Sequence, residues 1–399
     1  MPKLSDRVTN LPASPIRKLV PFADAAEKRG LRVYYLNIGQ PDIPTPPEFF
    51  AAVDNSEMAV LAYSHSAGNE SLRKQISNYY GRLGYDIKTD QIIVTTGASE
   101  ALNFIFASIT NPLDEIIVPE PFYANYNSFS LAKDARVVPV TTHIENNFAL
   151  PSLEAFREKI NSRTRAILIC NPGNPTGILY DRKELDGLRD LAKEHDLFLI
   201  ADEVYREFAY DSSEHLSVLG YQGMDQNVVV VDSVSKRFSA CGARIGCAIS
   251  RNEELMNAVM KMAQARLSPP TFGQMGAEAA YQLPESYFTE VVKEYAGRRD
   301  ALKEALDEIP GVVCPDINGA FYAMVQLPVD SADDFCRWML DDFEHEGATV
   351  MLAPGAGFYA TPGKGLNQVR IAYVLKEDEL RAAMKCLAAA LTAYQARNP

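Results

Sequence analysis

Histidine is scarce in this chain, five residues in 399, and no two of them form an HxxxH pair nor any an HxxE pair. That spacing leaves no histidine-based metal site in view. Cysteine is also little used: the six residues at 170, 241, 247, 314, 336 and 386 include no CxxC pair and are too sparse for a disulfide framework. Basic residues are in deficit, 39 against 52 acidic, for a formal charge of −13. A nucleic-acid partner is therefore not expected, because duplex binding needs a basic face. No run of about 18 apolar residues occurs, so no membrane-spanning helix is expected either. The opening residues Met1-Pro2-Lys3-Leu4-Ser5-Asp6-Arg7 lack the apolar core of an export signal, and a reducing cytoplasm is the expected setting. What is present, 47% hydrophobic and 23% charged residues, excludes a disordered chain.

Short apolar runs at 91–95, 115–119, 136–140, 166–170, 198–201, 228–232 and 245–249 alternate with stretches of helical spacing. Their continuous Ile, Val and Leu content suits strands buried on both faces, hence a mostly parallel seven-stranded sheet between helices. Residues 182–194, with Leu185, Leu188, Leu191 and Ala192, show the apolar stripe of a covering helix. The alternation predicts an α/β domain over 41–284. Beyond Pro284 the pattern changes to a long helix (285–309), a strand (319–327), a helix (330–346), a strand (369–374) and an Ala-rich helix (377–395). This reads as a smaller α+β domain over 285–399. The proline-rich residues 1–40 read as an arm packing with that smaller domain.

Four segments carry chemistry. Lys236, in Ser233-Val234-Ser235-Lys236, follows a buried strand among small hydroxyl residues, where partial desolvation would make its amine a nucleophile for a carbonyl. Ser233, Ser235 and Arg244 could hold an anionic group beside it. Asp202 ends an apolar strand, the place where open α/β sheets bind ligands, and a carboxylate buried there needs a cation or a donor; Tyr205 follows three residues later. Asn171-Pro172-Gly173-Asn174-Pro175 fixes a tight loop that holds an amide at another strand end. Gly97-Ala98-Ser99 turns a strand into a helix whose free N–H groups favour an anion. Arg370, inside a strand, needs an anionic partner, and Tyr123 could stack on a planar ring. Taken singly, each has a plainer reading as a turn, a helix cap, a salt bridge or a core aromatic.

Together and in this order, these segments resemble the pyridoxal-phosphate (PLP) aminotransferases of fold type I, classes I and II, over nearly the whole chain from Gly39 to Arg370. The separations Asn174 to Asp202 (28 residues), Asp202 to Lys236 (34) and Lys236 to Arg244 (8) carry the likeness. The resemblance implies a ping-pong enzyme in which Lys236 is the Schiff-base lysine and proton shuttle. By the same likeness Asp202 pairs with the pyridine nitrogen, and Tyr205 and Asn174 donate to the ring oxygen. It also implies a phosphate cup of Gly97, Ala98, Ser99, Ser233 and Arg244, with Ser235 a possible addition, and an aromatic lid from Tyr123. Arg370, helped by Gly39, matches the clamp for the substrate's α-carboxylate. Tyr63 falls where the family reaches the neighbouring subunit's phosphate, which implies a homodimer with shared sites.

The substrate turns on a second cation. A dicarboxylate needs one, and Arg17 and Arg266 are the two candidates; a lysine that some family members place in the glycine turn is replaced here by Ser99. Aspartate or glutamate as donor with 2-oxoglutarate as acceptor is the favoured expectation. Alanine stays open, as do aromatic amino acids, for which Tyr34, Tyr63 and Phe358 could line a roomy pocket. A PLP-dependent C–S or C–C lyase would share every cofactor residue. Ser233-x-x-Lys236 also fits an acyl-serine hydrolase pattern, but the Lys-Thr-Gly that such enzymes carry downstream does not occur.

Overall fold

The computed structural model describes residues 2–9, 11, 14–211 and 213–397. Residues 1, 10, 12 and 13 of the expected arm, and 398–399 of the expected smaller domain, lie outside the described residues. Twelve strands occur among those described: β1 (Arg32–Tyr35), β2 (Ile92–Thr95), β3 (Glu115–Glu120), β4 (Arg136–Thr141), β5 (Thr164–Cys170), β6 (Phe198–Asp202), β7 (Val228–Ser233), β8 (Gly246–Ile249), β9 (Tyr322–Gln326), β10 (Ala348–Met351), β11 (Ala353–Pro354) and β12 (Gln368–Ala372).

The seven apolar runs are the seven strands of one sheet, in the order β2-β8-β7-β6-β5-β3-β4. Alternate residues feed two cores. Ile92, Val94, Ile167, Ile169, Leu199, Val228 and Val230 pack on one face, and Ile93, Ala166, Leu168, Ile200, Val229 and Val231 on the other. Burial on both faces is why these strands read as unbroken apolar runs. Helix Arg182–Glu194 covers the first face and is set by a capping box in which the Asp181 carboxylate accepts from the Glu184 N–H. Helices Ala98–Ile109 and Glu253–Arg266 cover the second.

The strands β3 to β7 run parallel to one another, whereas β8 runs antiparallel to both β2 and β7. The reason is local. Between Ser233 and Gly246 the chain makes only a four-residue helical turn, Val234–Arg237, and a 3₁₀ turn, Cys241–Ala243. A parallel return must carry the chain back along the sheet, usually on a full helix, and these turns supply none. Lys236 sits on this short return, at the C-terminal edge of the sheet.

The remaining strands form a second assembly, an antiparallel sheet β11-β12-β9 and a parallel pair β1-β10. Helices Glu285–Asp307, Ala332–Asp341 and Glu377–Arg397 accompany them. Part of the expected arm is regular structure belonging to this core. Helix Val20–Lys28 packs on helix Ala332–Asp341, and Leu19, Ala23, Ala26, Val33 and Leu36 join the same apolar cluster as Val350 and Leu387.

Candidate active site

A cavity of about 670 Å³ lies at the C-terminal edge of β5, β6 and β7. Adjacent parallel strands deliver their following loops to one place, and the sheet does so here with Asn174 after β5, Asp202 and Tyr205 at β6, and Ser233, Ser235 and Lys236 at β7. Ala98, Ser99, Tyr123, Arg244, Gly39, Arg370 and Arg17 complete the set of sequence-chosen residues on its wall. Gly97 stands just behind. Its φ of +76° opens the turn into helix Ala98–Ile109, and a Cβ there would meet an Arg244 guanidinium nitrogen at 2.4 Å.

Asp202 is 4% exposed; its Oδ2 accepts from the Tyr126 hydroxyl at 2.7 Å. Burial pushes its carboxyl up to about 6, against the pull of that hydrogen bond. Lys236 is half-buried, and its Nζ donates to the Gly39 carbonyl at 2.7 Å and lies 3.7 Å from the Cys241 sulfur. The neighbouring cation, Arg237, turns away from the cavity and is neutralised by Asp232 at 2.7 Å and Glu207 at 3.0 Å. Burial holds the Tyr205 phenol well above its usual range, so it remains a donor. Asn174 Nδ2 donates to the Tyr205 oxygen at 3.4 Å, and Arg370 donates to Asn174 Oδ1 at 2.9 Å. The Ser233 hydroxyl bonds Ser235 Oγ and the Ile245 carbonyl, a supporting position rather than that of an acyl-serine nucleophile.

Arg370 is the least compensated group. It is 1% exposed, donates to Asn174 and to the Asn37 carbonyl, leaves its Nε without a partner, and has no carboxylate near it among the described residues. Leaving a buried cation unpaired costs several kcal/mol on a scale of roughly 3–5, which points to an anionic ligand. Arg17 is exposed on the same wall, and its side chain forms no hydrogen bond or ion pair with another described residue. Both guanidinium groups act on the Tyr123 phenol, which burial pushes to about 12.

Three expectations do not survive. Arg266 is off the wall: it pairs with Glu100 at 2.6 Å and donates to the Ser66 carbonyl at 2.8 Å, so it braces a loop and is not free for a distal carboxylate. Tyr34, Tyr63 and Phe358 do not line the cavity. Tyr34 is in the second core, Phe358 lies buried 4.9 Å from the Arg370 guanidinium, and Tyr63 is 78% exposed on the surface. The acyl-serine scheme lacks its base: Lys236 Nζ donates to the Gly39 carbonyl, and the Ser233 hydroxyl is bonded to Ser235 and Ile245 and not to Lys236. Two residues were missed, Tyr126 under Asp202 and Tyr322 beside Tyr205. Tyr126 had a signal, being one helical turn from the chosen Tyr123; Tyr322 is 117 residues from its partner and had none.

Known proteins share this fold. The family described as aminotransferase class I and II matches residues 32–387. The aspartate aminotransferase of Bacillus subtilis (strain 168) is 31% identical over 394 residues, spanning 96% of this chain and 97% of that protein. The solved alanine aminotransferase from Pyrococcus furiosus has a TM-score of 0.89 at 31% identity, covering 98% of this chain and 100% of that one. The aspartate aminotransferase of Thermotoga maritima gives the same TM-score, 0.89, at 31% identity and the same coverage. With the cavity, the sheet order and these matches in hand, the chain belongs to the class I and II aminotransferases, fold type I enzymes that use PLP to exchange amino groups between amino acids and 2-oxo acids.

Proposed function

We propose that the amino donor is aspartate or glutamate and the acceptor 2-oxoglutarate. The observation that carries this reading is the pair of uncompensated arginines on one wall: Arg370, buried, for the α-carboxylate, and Arg17, exposed, for a distal one. The relatives named aspartate aminotransferase lend it support.

The residues suit PLP. Arg244, the Ser233 and Ser235 hydroxyls and the N–H groups opening the twelve-residue helix at Ala98 would hold its phosphate. The half-buried Tyr123 ring would cover its face, and Tyr205 and Asn174 would donate to its ring oxygen. Asp202, strained by burial, would gain the cation it lacks in a protonated ring nitrogen, and that charge would draw its carboxyl back to the ionised form. When bound, PLP supplies an aldehyde that takes up the amino group and a cationic ring that withdraws electrons from the substrate's Cα. Lys236 Nζ, on the same wall, would hold that aldehyde at rest and, once released, would be the group placed to take up and return the substrate's Cα proton. Arg370 and Asn174 would hold the substrate's carboxylate on the wall that they share with Lys236.

Residues 41–284 are, on this reading, the cofactor domain, 285–399 the smaller one, and 1–40 an arm that brings Arg17 to the site. A homodimer completes it through Tyr63. Six unpaired cysteines favour a reducing, cytoplasmic setting.

Assays of single amino acids with 2-oxoglutarate test the reading. Arg17→Ala is expected to lower kcat/KM for aspartate and glutamate by about 10- to 100-fold, the range set by one charge-assisted hydrogen bond, and to spare alanine. An equal loss for alanine would remove Arg17 from the specificity role. Release of pyruvate and ammonia, with no new amino acid, would mark a lyase.

A further inference from the structure

We infer that Tyr322 fixes the direction of the Tyr205 hydroxyl proton, which makes it a positioning residue for the donor at the cofactor's ring oxygen. The inference rests on the placement of Tyr205 given above. The two phenol oxygens are 3.0 Å apart, both side chains are buried, and Tyr322 lies on the cavity wall. By distance alone either could donate. The partners decide it. The Tyr322 hydroxyl has no other hydrogen-bond partner among the described residues, so its single hydrogen has one acceptor in reach, the Tyr205 oxygen. That oxygen also receives Asn174 Nδ2 at 3.4 Å. With both approaches taken by donors, the one hydrogen of Tyr205 is left to point into the cavity, where an acceptor on the cofactor would sit.

Two further features hold Tyr322 in this role. Its hydroxyl rests directly on Gly39: a Cβ at that position would fall 1.8 Å from the phenol oxygen, so only glycine leaves room for it. The Arg370 guanidinium carbon lies 4.4 Å from the ring centroid of Tyr322, a cation–ring contact that fixes where the ring sits. Strand β9 thus presents Tyr322 to the sheet domain beside the arginine that β12 presents, and the chain Tyr322 to Tyr205 to ring oxygen is a relay of donated hydrogens.

The test reads the visible absorbance of the PLP-loaded enzyme against pH, since protonation of the lysine-linked cofactor changes its colour. Donation from Tyr205 stabilises the ionised ring oxygen, so Tyr205→Phe is expected to raise the apparent pKa of that change. Tyr322→Phe is expected to raise it by about half a unit, a weakened rather than a lost donor, and to add nothing in the Tyr205→Phe background. Replacing Tyr322 with 3-fluorotyrosine, a more acidic phenol of nearly the same shape, is expected to lower the pKa below that of the unmodified enzyme. A Tyr322→Phe enzyme with an unmoved pKa, or one that shifts it equally in both backgrounds, would overturn the inference while leaving Tyr205 in place. No shift from Tyr205→Phe itself would remove the placement of Tyr205 and this inference with it.

Discussion

Burial leaves the Asp202 carboxyl with a pKa of about 6, against about 3.9 in an unfolded chain. Between those values the folded, cofactor-free protein binds more protons than the unfolded one, so stability falls as pH rises through that window and the penalty is complete above about 6. Its size is on the order of 2–3 kcal/mol. Asp202→Asn keeps an acceptor for the Tyr126 hydroxyl and sheds the charge. The cofactor-free variant is therefore expected to melt higher than the parent at pH 8, with the two converging near pH 4. The loaded variant is expected to lose about 10³-fold in kcat, the scale of removing one charge-stabilising group. A variant that melts lower than the parent at pH 8 would show that desolvation does not dominate at this position. Lys236, Asp202, Asn174, Ser233 and Arg244 were legible because each has the chemistry its place requires and lies at or beside the end of a readable strand. Tyr322 and Arg266 were not, because the choice between a site and a brace depends on partners far along the chain: Tyr205 for the first, Glu100 and Ser66 for the second.

Close backbone packing sets the elements around the phosphate end of the cavity. Gly246 opens β8, and a Cβ there would meet the Gly97 carbonyl carbon and the Ala98 nitrogen at 2.6 Å and the Asp232 carbonyl oxygen at 2.8 Å. All three are backbone atoms, which cannot step aside as a side-chain tip can. Gly246→Ala is expected to displace the turn into helix Ala98–Ile109, costing about 1–3 kcal/mol in a melt and weakening PLP affinity about tenfold or more in an absorbance titration. Gly97→Ala meets only the mobile end of Arg244 but must adopt a positive φ, a cost of about 1 kcal/mol. A Gly246→Ala enzyme that binds PLP as tightly as the parent would show that this turn does not hold the phosphate. The seven sheet strands were legible within one or two residues since double-sided burial forces an unbroken apolar run. Strands β1 and β10 were not: Arg32-Val33-Tyr34-Tyr35 and Ala348-Thr349-Val350-Met351 lack the unbroken Ile, Val and Leu run, and their pairing joins positions 32 and 348. The direction of β8 was not readable from the length of the Ser233–Gly246 link, because its residues 234–245 equal the shortest crossover; only the fold shows that they form turns and no full helix.

At the scale of the whole molecule, one surface is unlike the rest. Val60 and Tyr63 are 75% and 78% exposed, and Phe50, Leu61, Leu267 and Phe272 are exposed as well. Hydrogen bonds unite the two segments that carry most of them: Arg266 donates to the Ser66 carbonyl, and Gln274 Nε2 to Ser64 Oγ at 2.9 Å. Arg266, expected to bind substrate, thus braces this apolar face. Uncovered apolar area of this kind is the mark of an interaction surface, and the proposed occupant is a second copy, placing Tyr63 at the partner's phosphate. Sedimentation at micromolar concentration is expected to give twice the chain mass. Paired charges, Val60→Asp with Leu61→Asp, are expected to halve it and to weaken PLP retention, because a monomer would lack the second copy's hydroxyl. Tyr63→Phe separates the two effects: it should leave the mass doubled and weaken PLP binding about tenfold or more, the scale of one hydrogen bond to a charged group. A chain that sediments as a monomer with PLP held at full affinity would refute the shared site while leaving the roles of Lys236 and Asp202 intact.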